Sequence, residues 1–79
     1  MAREGALRVW WIINPPSEPT YKIVESPAEA AKVIAEEAER QLKNRRITDN
    51  AFGLEIYEDG EWCEWYNEDG DDIHEFNPA

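Results

Sequence analysis

Apolar and polar positions divide the chain into four patterned stretches, three with the period of strands and one with that of a helix. Leu7 to Asn14 (LRVWWIIN) is rich in β-branched and aromatic residues and predicts a strand. Leu7, Val9, Trp11 and Ile13 are assigned to the core, so that the charge of Arg8 faces away with Trp10 and Ile12. The competing assignment buries Trp10 and Ile12. Tyr21 to Val24 predicts a short edge strand pairing back on the first, with Tyr21 and Ile23 on one face and Lys22 guarding the edge. From Ala30 the period changes to three and four. Ala30, Ala31, Ile34, Ala35, Ala38 and Leu42 form one helical stripe, flanked by Val33, in a helix running to Lys43 or Asn44. Ser26, Pro27 and Glu29 supply its N-cap, first position and capping-box acid. Glu36 and Arg40 are spaced for an i,i+4 pair.

Ala51 to Tyr66 (AFGLEIYEDGEWCEWY) reads as one hairpin about Asp59-Gly60, a signal for a type I′ turn. That turn sets Glu58 opposite Glu61, Tyr57 opposite Trp62, Ile56 opposite Cys63 and Leu54 opposite Trp65. One face then carries Phe52, Leu54, Ile56, Cys63 and Trp65, a core set. The other carries Glu55, Tyr57, Trp62, Glu64 and Tyr66. Glu55 opposes Glu64, a destabilising pair of like charges that Arg8 of a neighbouring strand would offset.

Between these elements lie turn signals. Asn14 to Thr20 holds three prolines and makes a stiff connector, preferred here over a Pro-rich recognition motif. Asn44 to Asn50 carries Arg45-Arg46, read as a solvated helix end. Asn67 to Gly70 marks a second turn, and Asp71 to Phe76 a short extended or frayed segment in which Ile73 and Phe76 tuck against the domain. The expected fold is α+β: an antiparallel sheet of three to four strands with a single helix packed on one face, in the order β-(β)-α-β-β. One small domain spans residues 1–79, with 1–5 and 77–79 frayed.

Charge sharpens this picture. The 79 residues hold 18 acidic and 8 basic side chains, a formal net charge of −10. Met1 to Asn50 is balanced, so the imbalance sits wholly in residues 51–79, where ten carboxylates meet no Lys or Arg. Such a half repels phosphate, which argues against direct nucleic-acid binding and against anionic membranes. No apolar run approaches the length of a membrane span, no signal peptide is evident, and the lone Cys63 makes no disulfide framework. Cytoplasmic residence is the expectation.

Catalytic and metal chemistry find little support. Cys63 and His74 are too few for a structural zinc site, and no oxyanion hole accompanies them. Cys63 reads as a small core residue and His74 as a surface residue. The run Asn67 to Asp72 lacks the ligand spacing of a calcium loop. Close carboxylate pairs arise by default in so acidic a chain. No enzyme activity, cofactor or metal is therefore expected.

The open sheet face carries the functional signal. Trp10, Tyr57, Trp62 and Tyr66 supply an aromatic patch, rimmed by Glu55, Glu58, Glu61 and Glu64. Aromatics anchor interfaces, and a negative rim favours a basic protein partner. Three readings compete with that one. The C-terminal segment, through Ile73 or Phe76, covers the face; the face forms a homodimer; or the carboxylates mimic nucleic acid and block a DNA- or RNA-binding protein.

The segments VWWIINPPSEPTY, the Ser-Pro-x-Glu-Ala helix start and AFGLEIYEDGEWCEWYNEDGDDI resemble a group of small, uncharacterised acidic proteins encoded by bacteriophages and prophages, over most of the chain. The resemblance implies a bacterial cytoplasmic setting and a protein that acts on a host or phage macromolecule, as an inhibitor that occupies a basic surface. It assigns no functional residue.

Overall fold

A computed structural model describes residues 3–47 and 49–76. Its elements are β1 (Leu7–Ile13), β2 (Thr20–Val24), α1 (Pro27–Leu42), β3 (Asn50–Glu58) and β4 (Glu61–Glu64). The fold is α+β, with one helix and a four-stranded antiparallel sheet in the order β2-β1-β3-β4. The short second strand is therefore a full member of the sheet.

β1 is central because its alternation serves both neighbours. Leu7, Val9 and Trp11 point to the helix side and are buried, Val9 completely. Their cross-strand partners are Val24, Lys22 and Thr20 of β2 and Ile56, Leu54 and Phe52 of β3. Arg8, Trp10 and Ile12 emerge on the opposite, open face. The hairpin takes the expected register. Asp59 (φ 53°) and Gly60 (φ 84°) both occupy the left-handed region that a type I′ turn requires. The Trp65 N–H reaches the Leu54 carbonyl at 3.0 Å and extends the pairing one residue beyond β4.

The helix starts where its capping residues place it. Ser26 Oγ accepts the Glu29 N–H at 3.1 Å, a cap worth about 1 kcal/mol. The Glu29 carboxylate reaches back to the N–H of Glu25 at 3.0 Å, one residue before the cap itself. The expected stripe fails at the C-terminal end. Leu42 is 85% exposed, whereas Gln41 is only 3% exposed. The physical reason is polar pairing. Asn50 Nδ2 donates to Gln41 Oε1 at 3.0 Å, so the last turn is docked through an amide bridge to β3. The helix's ion pair also differs: Arg40 bonds Glu37, not Glu36.

α1 packs over β1, β2 and β3 and makes no contact with β4. The C-terminal segment covers part of the remaining helix-side surface. It forms a tight turn, not an extended strand, with the N–H groups of His74 and Glu75 both donating to Asp72 Oδ1. Ile73 joins the buried core, and Phe76 packs edge-on against Trp65 at 5.5 Å. Of the termini expected to fray, Met1, Ala2 and residues 77–79 lie outside the described residues. Gly5 donates to the Tyr57 carbonyl at 2.8 Å, and the Glu4 carboxylate accepts the Asp59 N–H at 3.2 Å.

Candidate functional site: the open sheet face

The site is the sheet face that α1 does not cover. Its centre is Arg8, whose strand position places it opposite Ile23 on one side and Glu55 on the other. The Arg8 guanidinium donates from Nε to Glu55 Oε1 at 2.7 Å. Its carbon lies 3.8 Å from the Tyr21 ring centre and 4.2 Å from that of Trp62. A planar cation held between two aromatic rings and a carboxylate gains cation–π attraction and a charge-assisted hydrogen bond together. It also leaves Glu64, directly opposite Glu55, as the uncompensated member of the like-charged pair. Among the described residues no cation pairs with Glu64.

Trp10 lies over the neighbouring strand at Gly53. A Cβ at Gly53 would meet the Trp10 indole at 2.3–2.5 Å, so the glycine is what lets the indole lie there. Tyr57 and Trp62, partners across the hairpin, meet edge to face at 5.3 Å and 68°. Tyr66 is 55% exposed, and its hydroxyl donates to Glu64 Oε2 at 2.6 Å. That hydrogen bond, reinforced by the Glu64 charge, raises the Tyr66 pKa above its ordinary 10.0.

The structure thus gathers Trp10, Tyr57, Trp62, Tyr66, Glu55 and Glu64 on or beside one face. It does not gather Glu58 and Glu61 with them. Both flank the hairpin turn on the helix-side alternation, level with Ile56 and Cys63, and both are exposed. Their charge contributes to the field around the hairpin tip but not to a rim on the open face. Tyr21 is the member that the aromatic grouping omits. Its alternation with Ile23 carries the signal, since both fall on the face of Arg8.

Cys63 is not a core residue. It sits half-buried on β4, beyond the reach of α1, with its Sγ 3.9 Å from a Glu61 carboxylate oxygen. Partial burial, then the carboxylates of Glu61, Glu58 and Asp59, raise its thiol pKa above the ordinary 9.0 and disfavour a thiolate. His74 is exposed, and its Nε2 lies 2.8 Å from the Phe52 carbonyl, an edge group of β3 that the short β4 leaves unpaired. No hydrogen bond joins Cys63 to His74. In the acidic turn, Asn67 Oδ1 accepts the N–H groups of Asp69 (2.9 Å) and Asp71 (2.8 Å), so a side-chain amide organises the loop. Among the described residues no three His, Cys, Asp or Glu side chains are grouped to hold a metal ion.

The Ile73 and Phe76 side chains both lie with the helix-side core, not across Tyr57 and Trp62. Comparison of the chain with protein-family models, with curated proteins and with solved structures finds no match. No helix among the described residues is long and apolar enough to cross a membrane.

Proposed function

We propose that this protein is a non-enzymatic acidic binding protein that engages a basic protein partner through the open sheet face. The observation that carries this reading is the position of the C-terminal segment. Ile73 and Phe76 pack on the helix side, which leaves Trp10, Tyr57, Trp62 and Tyr66 uncovered by the part of the chain best placed to cover them. These aromatics supply contact area, and Arg8 with its two flanking rings pre-organises the centre of the face. Glu64 and the acidic half of the chain supply attraction and register for a basic surface. A cytoplasmic, phage-encoded inhibitor of a host protein is the biological setting this reading favours.

The charge split keeps a second reading in play, a nucleic-acid mimic that blocks a DNA- or RNA-binding protein. It uses Asp69, Asp71, Asp72 and Glu75 more than the tryptophans. Capture from bacterial lysate with the wild-type chain and a Trp62→Ala, Tyr57→Ala double variant separates the two. The proposed face predicts a basic protein held by the wild type and released by the folded double variant. Equal retention by both moves mimicry ahead. Retention by neither, above an unrelated acidic control, contradicts both.

A further inference from the structure

The sheet has two free edges, and they differ in chemistry. Pairing around a two-residue turn fixes which backbone groups point outward. Glu58 and Glu61 form the hydrogen-bonded pair that flanks the turn, so Glu61, Cys63 and Trp65 aim their N–H and C=O groups at β3. Trp62 and Glu64 aim theirs away from the sheet. Neither residue's backbone takes part in a hydrogen bond outside the strand ladder among the described residues. At the opposite edge, β2 carries Lys22, a charge that discourages strand addition by a basic chain.

Resting on the proposed docking of a basic partner, we infer that the partner adds an extended, arginine-bearing segment as a fifth strand along the outer edge of β4. Three features converge there. The outward donors and acceptors of Trp62 and Glu64 offer main-chain pairing, which supplies affinity without regard to sequence. Side chains of an added strand would alternate with those of β4, so every second one would emerge on the open face beside Glu64 and Trp62. Glu64 meets a cation there with a carboxylate already oriented by the Tyr66 hydroxyl and without a cationic partner of its own. Arg8 shows the mode within the same molecule: its guanidinium stacks on Trp62 and pairs with Glu55. The intervening side chains would lie next to Cys63, where a small apolar residue fits. Residues 51–79 contain no Lys or Arg to repel such a segment.

The test uses the full chain and a blocked hexapeptide of alternating Arg and Val. Its companions are the same peptide N-methylated at alternate backbone nitrogens and a Glu-Val peptide. The inference predicts saturable binding of the Arg-Val peptide, with amide exchange slowed at Trp62 and Glu64 but not at Tyr21 and Ile23. N-methylation should weaken binding by about tenfold or more, because it removes strand pairing and keeps the charge. Glu64→Gln should weaken it roughly threefold to fivefold. Glu64→Pro should abolish it without breaking the hairpin, since the lost N–H points outward. Equal binding of the N-methylated peptide, protection at the β2 edge, or no saturation at millimolar peptide overturns strand addition. If a captured partner is released by the Trp62, Tyr57 double variant but retained by Glu64→Pro, strand addition falls and the docking face stands.

Discussion

The two faces of this sheet are built from the same strands by opposite rules. On the helix side, Leu7, Val9, Trp11, Val24 and Leu54 are buried against α1 and the C-terminal turn, and hydrophobic burial fixes them. On the open side, Arg8, Trp10, Glu55, Tyr57 and Trp62 are only partly buried, and specific pairings fix them: a cation between two rings, an indole over a glycine, an edge-to-face pair. The difference teaches how a chain this short keeps a large aromatic surface ordered without enclosing it. The helix side supplies stability. The open side spends side-chain pairings on holding a fixed shape, as the proposed docking there would require.

That contrast is broken most strongly from the helix side. Leu54→Ala should cost about 3 kcal/mol, a large share of the total stability of a small domain, and should be read as a fall in urea midpoint. Next in size is Gly53→Ala on the open side. The added methyl would displace the Trp10 indole, and about 1–3 kcal/mol of overpacking cost should appear with a changed tryptophan emission. If Gly53→Ala is silent in both, Trp10 does not lie over β3 and the open face is less ordered than described.

Arg8→Met should cost about 1 kcal/mol, since the pair is partly exposed and the stacks are modest. The loss should shrink in high salt and when Glu55→Gln is combined with it, because Glu55 then no longer opposes Glu64 as a charge. Full additivity of the two substitutions would mean that Arg8 and Glu55 do not interact.

The smallest effect concerns pH. The neutral Tyr66 hydroxyl donates to Glu64, so its folded pKa lies above the unfolded 10.0. An acid whose pKa is raised on folding contributes stability that is complete below its unfolded value and is lost as pH rises through the folded one. Stability of the wild type should therefore fall more steeply in alkali than that of Tyr66→Phe. Parallel curves would show that the hydrogen bond does not persist in solution.

Much of this arrangement is legible in the sequence where one residue breaks a tie. Asp59-Gly60 fixes the hairpin register, and through it the Tyr57–Trp62 pair. The charge of Arg8 decides which face of an almost wholly apolar strand is buried and points to the Glu55–Glu64 pair, of which the structure pairs Glu55 with it. Ser26 and Pro27 set the helix start. The parts that are not legible depend on what an element meets after it forms. Leu42 continues the apolar spacing of α1, yet Gln41 is the buried residue because Asn50 is there to receive it. Cys63 shares the core alternation, but α1 stops short of β4. The turn that carries Ile73 and Phe76 to the helix side has no periodic signal, since Asp72 organises it through backbone bonds. Glu58 and Glu61 leave the open face by alternation alone, a consequence already contained in the hairpin register.

The four tryptophans report on the two faces separately: Trp10 and Trp62 on the open side, Trp11 and Trp65 in the helix-side core. The most direct test is to titrate a basic protein captured from lysate into the isotope-labelled chain and follow the four indole N–H resonances. The account predicts that Trp62 and Trp10 shift or broaden while Trp11 and Trp65 stay in place. Movement of Trp65 with Trp62 unchanged would place the interface on the C-terminal turn and contradict the open face as the binding surface.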